Sequence, residues 1–317
     1  MTDEILGAFD IGSGAAKLTV ARVRLGVVQE ILYSHQITVL VAHAVQQTSD
    51  HSIDPNTAEK LKNAIKEMIV EATNIATPSR YAAVATAVFR ESSNGQQVLN
   101  EISRDLGFPI VIISQKIEGY LGYLTALQAN IKKNETIVSW DSGGASFQLV
   151  SMNGCINSIE NMNLFEGDQG ASKITKLMVN IQGNDFNDIQ TVNPATHEDC
   201  VATHKAIMEC LSRLDKPEWL LKHTGRIIGI GGKSCAMKMV FLLSQKSIFS
   251  LDDVWNSISL VEGKQDDNLL EYPEKEMLLP KLLLIASVME YFNFQQVEYF
   301  PSNGSTLGMF MYDILWK

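Results

Sequence analysis

Apolar residues recur along this chain in two registers. Short apolar runs bounded by glycine, aspartate and serine predict strands at about 5–10, 17–24 and 27–40. A helix is predicted from Pro55 to Ala76, where Leu61, Ile65, Met68, Ile69 and Ala72 fall at helical spacing. Asp54 is placed to cap it, and Pro55 suits the first helical position. A strand from Tyr81 to Ala87, a helix at about 91–106, a strand from Ile110 to Ile113 and a helix from Glu118 to Asn130 complete this half. The pattern then restarts with strands at 136–140 and 146–153. Helical patterns cover about 195–214, 233–245 and 274–294, with strands at Arg226 to Ile230 and 296–300 and a last helix to Trp316. The stripe Met277, Leu278, Leu282, Leu283, Ala286 and Met289 reads as core. The acidic stretch 246–273, with Asp252, Asp253, Asp266 and Asp267, reads as a solvated helix and loop rather than a metal site.

Each half opens with meandering strands and goes on to alternate strand with helix. That predicts an α/β protein of two domains, with mixed sheets and an interdomain cleft. The division falls around Lys132-Lys133-Asn134, giving residues 1–128 and 129–317.

Two turns carry the candidate chemistry. The first is Asp10-Ile11-Gly12-Ser13-Gly14, the second Asp141-Ser142-Gly143-Gly144-Ala145-Ser146, and each lies between two strands. Glycine lets successive N–H groups converge on a phosphate oxygen, and Ser13 and Ser146 add hydroxyl donors. Asp10 and Asp141 repel phosphate directly, so they fit this chemistry if a divalent cation lies between, usually through water. Taken singly, either turn also reads as an ordinary hairpin with Asp and Gly in it. Lys17 and Lys233 lie near glycine turns, and Lys17 is expected to point to solvent along its strand.

Composition narrows the classes. The chain has 317 residues, 45% of them hydrophobic and 20% charged, as in a globular protein with sizeable cores. A net charge of −10 argues against general nucleic-acid binding. The N-terminal residues lack a secretory pattern, and the longest apolar stretch, Met277 to Met289, is too short to span a bilayer. Cys155, Cys200, Cys210 and Cys235 show no CxxC spacing and read as free thiols of a cytoplasmic protein. His197, Cys200 and His204 have too few companions for a zinc site.

Taken together, the turns and the later Gly229-Ile230-Gly231-Gly232-Lys233 resemble the actin-like (ribonuclease H-like) ATPase superfamily. More specifically, the chain resembles the exopolyphosphatase and guanosine pentaphosphate phosphohydrolase (Ppx/GppA) family in its short, two-domain form. The segment Ala85-Thr86-Ala87-Val88-Phe89-Arg90-Glu91-Ser92-Ser93-Asn94 resembles the family's Ala-Thr-x-x-x-Arg-x-(small)-x-Asn. Ile113-Ser114-Gln115-Lys116-Ile117-Glu118 resembles its Ile-Ser-Gly-x-Glu-Glu, and Ser302 to Gly308 resembles the closing turn of its second domain. The resemblance implies two actin-like domains and magnesium-assisted attack of water on a terminal phosphate of polyphosphate or guanosine pentaphosphate. It puts Glu118 at the general base and Arg90 on phosphate. Gly12, Ser13, Gly14, Gly143, Gly144, Ala145, Ser146, Gly231 and Gly232 would cradle phosphates, with Asp10 and Asp141 organising Mg2+. Asn94 would cap its helix or bind the ligand. A homodimer is common in the resembling family.

The chain departs from the family at both turns. Gly14 and Ala15 replace Asn and Ser, and Phe147 and Gln148 replace a hydroxyl and a carboxylate. Lys233 stands where the family has threonine. Hydrolysis of a phosphoanhydride remains the leading expectation. The alternatives are a sensor that binds phosphorylated ligand without turnover, an actin-like kinase or ATPase, and a scaffold with a vestigial cleft.

Overall fold

In the computed structural model, which describes residues 3–132, 135–154, 158–186 and 188–317, the first three strands form a meander. They are β1 (Glu4–Ile11), β2 (Ala15–Arg24) and β3 (Val27–Thr38), each antiparallel to the next. Leu25 and Gly26 take positive φ, 51° and 75°, to reverse the chain between β2 and β3. Strands β4 (Arg80–Ala85) and β5 (Ile110–Ile112) then add parallel to β1, giving the order β3-β2-β1-β4-β5. Six consecutive residues of central β1 are buried, because helical layers leave neither of its faces to solvent.

The helices of this unit follow from local signals. After β3 comes α1 (Val41–Gln47), a helix that the sequence pattern did not announce. The chain bends there because Val39 N–H donates to Gly14 O and Ala42 N–H to Ser13 O, docking it on the first turn. Helix α2 (Pro55–Ile75) is capped as expected: Asp54 accepts from Asn56 N at 2.9 Å and Thr57 N at 3.0 Å. The helix predicted over 91–106 is two, α3 (Ala87–Glu91) and α4 (Gly95–Leu106). Ser92-Ser93-Asn94 breaks it, and a Cβ on Gly95 would meet Phe89 O at 2.3 Å. Helix α5 (Gln115–Ala126) starts earlier than predicted, because Ser114 caps it by accepting from Ile117 N. Phe9, Ile11, Leu18 and Val20 build the core with Leu61, Ile65 and Met68 of α2 and Leu99 and Ile102 of α4.

The second sheet repeats the first. Strands β6 (Ile137–Ser142), β7 (Phe147–Met152) and β8 (Met162–Gly167) meander, and β9 (Arg226–Gly231) joins β6 in parallel. Strand β10 (Ile248–Ser250) lies antiparallel on β11 (Gln296–Pro301), completing the order β10-β11-β9-β6-β7-β8. Leaving out edge strand β10, this is the order of the first sheet. The connecting helices are α6 (Ala171–Ile181), α7 (His197–Leu211), α8 (Glu218–Leu221), α9 (Ala236–Ser244), α10 (Leu251–Val261) and α11 (Leu278–Phe292).

The acidic stretch expected to be solvated is instead partly core. Ser250 and Asp253 form a capping box at the start of α10, which buries Val254, Ile258 and Val261. Asp266 accepts from Thr191 Oγ1 at 3.0 Å and Asn193 Nδ2 at 2.8 Å. Of the expected stripe, Leu278, Leu282, Leu283, Ala286 and Met289 are core in α11, while Met277 is half-buried just before it; the helix is buried nearly all round. Even Lys281 is 3% exposed, its ammonium 2.6 Å from Glu274.

The chain divides into two compact units, Met1–Asn130 with Ser302–Lys317, and Ile131–Pro301. The C-terminal segment, grouped by sequence with residues 129–317, therefore packs on the first unit. There α12 (Thr306–Met311) lies against α5 and β1, and Gly308 N–H donates to Thr125 Oγ1 at 2.8 Å. Lys133 and Asn134 of the expected boundary, and Cys155 of the expected thiols, lie outside the described residues. Among the described residues, no helix is long and apolar enough to cross a membrane.

Candidate active site

In the first unit the candidate residues gather at the C-terminal ends of parallel strands β1, β4 and β5, the edge where open α/β sheets receive ligands. The first turn is closed by Gly12 N–H donating to Ala15 O at 3.0 Å. Ser13 is buried, while Gly12 and Gly14 are half-buried. Thr86 N–H, just past β4, donates to Ile11 O at 3.1 Å and ties the next segment to this edge.

Arg90, on α3, and Glu118, in the first turn of α5, are brought together. Arg90 Nη1 donates to Glu118 Oε2 at 2.9 Å and to Ile113 O at 2.7 Å. Their side chains are 22% and 14% exposed, so the pair is partly shielded yet reachable. The helix N-terminus also favours the Glu118 carboxylate.

Asn94 is occupied elsewhere. Its Oδ1 accepts from Ile53 N at 2.8 Å and its Nδ2 donates to Ile53 O at 2.9 Å, clamping one peptide segment from both ends. It makes no side-chain cap on α4. The expected cap gives way to this tether.

Asp10 is 5% exposed and already engaged. Its Oδ2 accepts from Ser305 N at 2.9 Å and Ser305 Oγ at 3.1 Å, and the Lys17 ammonium lies 3.5 Å away. The expectation that Lys17 faces solvent is corrected here. Asp10 and Lys17 are cross-strand partners in the β1–β2 ladder, so their side chains leave the same face of the sheet. Register carries that signal in the sequence. Nothing local in the sequence announces Ser305, which arrives from far along the chain.

In the second unit the second turn repeats the first: Gly143 N–H donates to Ser146 O at 2.9 Å. Gly143 O and Gly144 O accept from Ala171 N and Ser172 N, docking α6 on the turn. Ala145 and Ser146 are buried, Gly144 is half-buried and Gly143 is exposed. Asp141 is half-buried and stands opposite Gln148, whose Nε2 donates to Ser146 Oγ at 3.2 Å. Phe147 is fully buried core. The Ser142 hydroxyl beside this turn is buried without a hydrogen-bond partner among the described residues.

The third turn lies next to the second, because β6 and β9 pair in parallel with Asp141 opposite Ile230. Gly231 has φ +151°, and a Cβ there would meet Cys235 Sγ at 2.6 Å, so only glycine fits. Its carbonyl accepts from Tyr299 OH at 3.1 Å. Gly232 is half-buried and Lys233 is exposed.

At the first turn the Asp10 contacts fall on one oxygen: Oδ2 takes the two Ser305 hydrogen bonds and the Lys17 ammonium. Among the described residues, no three His, Cys, Asp or Glu side chains are grouped to hold a metal. His197, Cys200 and His204 go separate ways. His197 Nδ1 contacts Glu262 at 3.1 Å. Burial, with Glu262 nearby, pushes the Cys200 thiol up to about 12. His204 bridges Ser287 at 2.8 Å and Glu290 at 3.2 Å.

Residues 19–211 match the Ppx/GppA phosphatase family. Solved structures agree in fold. An exopolyphosphatase-like protein superposes with a TM-score of 0.78 at 17% identity, over 98% of each chain. The exopolyphosphatase from Cytophaga hutchinsonii gives 0.74 at 17% identity, again over 98% of each. The Aquifex aeolicus Ppx/GppA family member gives 0.72 at 18% identity, over 99% of this chain and 98% of that one. No curated protein matches. With the family matched over most of its length and the fold shared from end to end, the chain belongs to the Ppx/GppA phosphatase family.

Proposed function

We propose that this protein is a phosphoanhydride hydrolase of actin-like, ribonuclease H-like fold that releases terminal phosphate from polyphosphate or guanosine pentaphosphate. Membership of the phosphatase family and the repeated strand order support this reading. The observation that carries it is the Arg90–Glu118 pair at the sheet edge that also holds the first turn.

The pair supplies a base and a phosphate anchor that exchange partners. An incoming phosphate draws the Arg90 guanidinium, which binds its oxygens through parallel hydrogen bonds. Glu118, released from that contact, takes a proton from water as the water oxygen bonds to the terminal phosphorus. The anhydride P–O bond breaks, and its electrons leave with the neighbouring phosphate. General-base help of this kind is worth about 10²–10⁴ in rate. Arg90 and the turn amides stabilise the charge spread over the transferring group.

A second reading is favoured by Gln148, an amide where the resembling family has a carboxylate. In that reading the protein senses a phosphorylated ligand without turning it over.

Phosphate release from polyphosphate, guanosine pentaphosphate and ATP, by wild type and Glu118→Gln, separates the two. Release lost in the variant supports the hydrolase, and the preferred substrate assigns the subclass. Tight binding with no release above the variant supports the sensor. Rapid turnover of ATP with indifference to the other two would replace both readings with an ATPase.

A further inference from the structure

We propose that Gln148 is a positioning residue of the second turn, holding the Ser146 hydroxyl so that its hydrogen is donated to an oxygen of the ligand. The inference rests on the phosphate-binding reading above and adds to it a residue to which that reading gives no contact in the site.

Within the second turn, Gly143 N–H is spent on Ser146 O, and the Gly143 and Gly144 carbonyls are taken by Ala171 N and Ser172 N. The next three N–H groups, of Gly144, Ala145 and Ser146, donate to nothing among the described residues. Gly143 is exposed and Gly144 half-buried, so the turn is open to a ligand there. Ser146 is 8% exposed and Gln148 3%, so neither side chain can rely on bulk water for its hydrogen bonds. Gln148 Nε2 donates to Ser146 Oγ at 3.2 Å, and among the described residues the hydroxyl has no other partner. The two side chains stand at alternate positions, 146 and 148, as β7 begins, so they share a face.

A serine hydroxyl carries one hydrogen and two lone pairs. The Gln148 N–H occupies one lone pair, so the hydrogen turns away from Gln148 and needs an acceptor that the described residues do not supply. A buried donor left unmade is costly. The three free amides of the same turn are donors as well, and successive backbone N–H groups favour an anion. A phosphate oxyanion answers all four. Turned over, the Gln148 amide would take the serine hydrogen through Oε1, and the turn would offer backbone donors alone. The atom that residue 148 presents to Ser146 therefore decides whether the second turn has a side-chain donor. An ionised carboxylate in that place could make only the second arrangement, because it accepts and cannot donate.

The test uses the whole protein and inorganic tripolyphosphate as probe, with magnesium held constant. Binding is measured by calorimetry, and Ser146→Ala is made in three backgrounds: wild type, Gln148→Glu and Gln148→Met. Folding of each variant is checked by circular dichroism. In wild type the alanine is expected to weaken binding at least about tenfold, the loss of one hydrogen bond to a charged group. In Gln148→Glu the carboxylate has already taken the serine hydrogen, so the same alanine should cost less than about twofold. In Gln148→Met nothing orients the hydroxyl, and the cost should be about threefold. A purely structural role for Gln148 would change the Kd by one factor with and without the hydroxyl. Equal costs of Ser146→Ala in wild type and in Gln148→Glu would overturn the proposal, as would wild-type binding indifferent to Ser146→Ala; either result leaves the phosphate reading intact. Absence of tripolyphosphate binding by folded wild type would remove the phosphate reading and this proposal with it. Should Gln148→Glu fail to fold, Gln148→Met decides, because a cost there equal to that in wild type overturns the proposal.

Discussion

Lys17 and Gln148 hold equivalent places in the two sheets: Lys17 faces Asp10 across β1 and β2, as Gln148 faces Asp141 across β6 and β7. One aspartate is matched with a cation and the other with a neutral amide. Gln148→Glu would bury a carboxylate at a position 3% exposed, opposite an existing one. The expected cost is about 1–3 kcal/mol in EDTA. Magnesium should restore part of it, because a cation relieves the repulsion. Urea unfolding with and without magnesium measures both effects.

Arg90→Lys keeps the charge but gives up the planar fork for phosphate oxygens; Nη1 alone joins Ile113 O to Glu118. It should lower kcat/KM by about 10²-fold, in the range for a lost transition-state donor. Steady-state phosphate release on the preferred substrate checks this. A loss confined to KM would mean that Arg90 serves binding alone.

Asn94→Ala should act on stability. It strands the Ile53 N–H and C=O that the amide now satisfies, at an expected cost of about 1–3 kcal/mol. The KM for phosphate substrate should stay unchanged in the folded variant. Chemical denaturation and substrate titration of the same preparation distinguish the two effects.

Stability should fall with acid through His223. Burial lowers its pKa below 6.5, outweighing the hydrogen bond to Arg226 O. The folded protein therefore binds fewer protons than the unfolded chain in this window. The neutral-state advantage is complete above pH 6.5 and is lost as the pH falls below it. Melting temperatures measured between about pH 7.5 and 5.5 should decline, and His223→Gln should flatten the decline.

Local chemistry is legible in the sequence, and relations across the chain are less so. Asp54 and Pro55 announce the start of α2, and both Asp–Gly turns lie where the apolar runs place them. Arg90 and Glu118 are each visible, but their contact depends on how α3 and α5 meet at the sheet edge. Strand β8 escapes detection because Met162-Asn163-Leu164-Phe165-Glu166-Gly167 alternates weakly and buries only Phe165 and Gly167. The acidity of Asp252 and Asp253 suggests a solvated stretch. In the structure these residues open a helix whose next turns enter the core. Lys17 misleads because a strand residue weighed alone lacks the partner that register assigns to it.

The return of Ser302–Lys317 to the first unit bears on the order in which the protein is made. Synthesis from the N-terminus produces β1 to α5 early, yet the partner of Asp10 and the helix that packs on α5 leave the ribosome only after the second unit. The first unit waits, with a buried carboxylate half-answered by Lys17, until that whole unit has been translated. Completion of the Asp10 contacts beside the first turn is thus timed to late synthesis, and a product cut short before Ser302 lacks them.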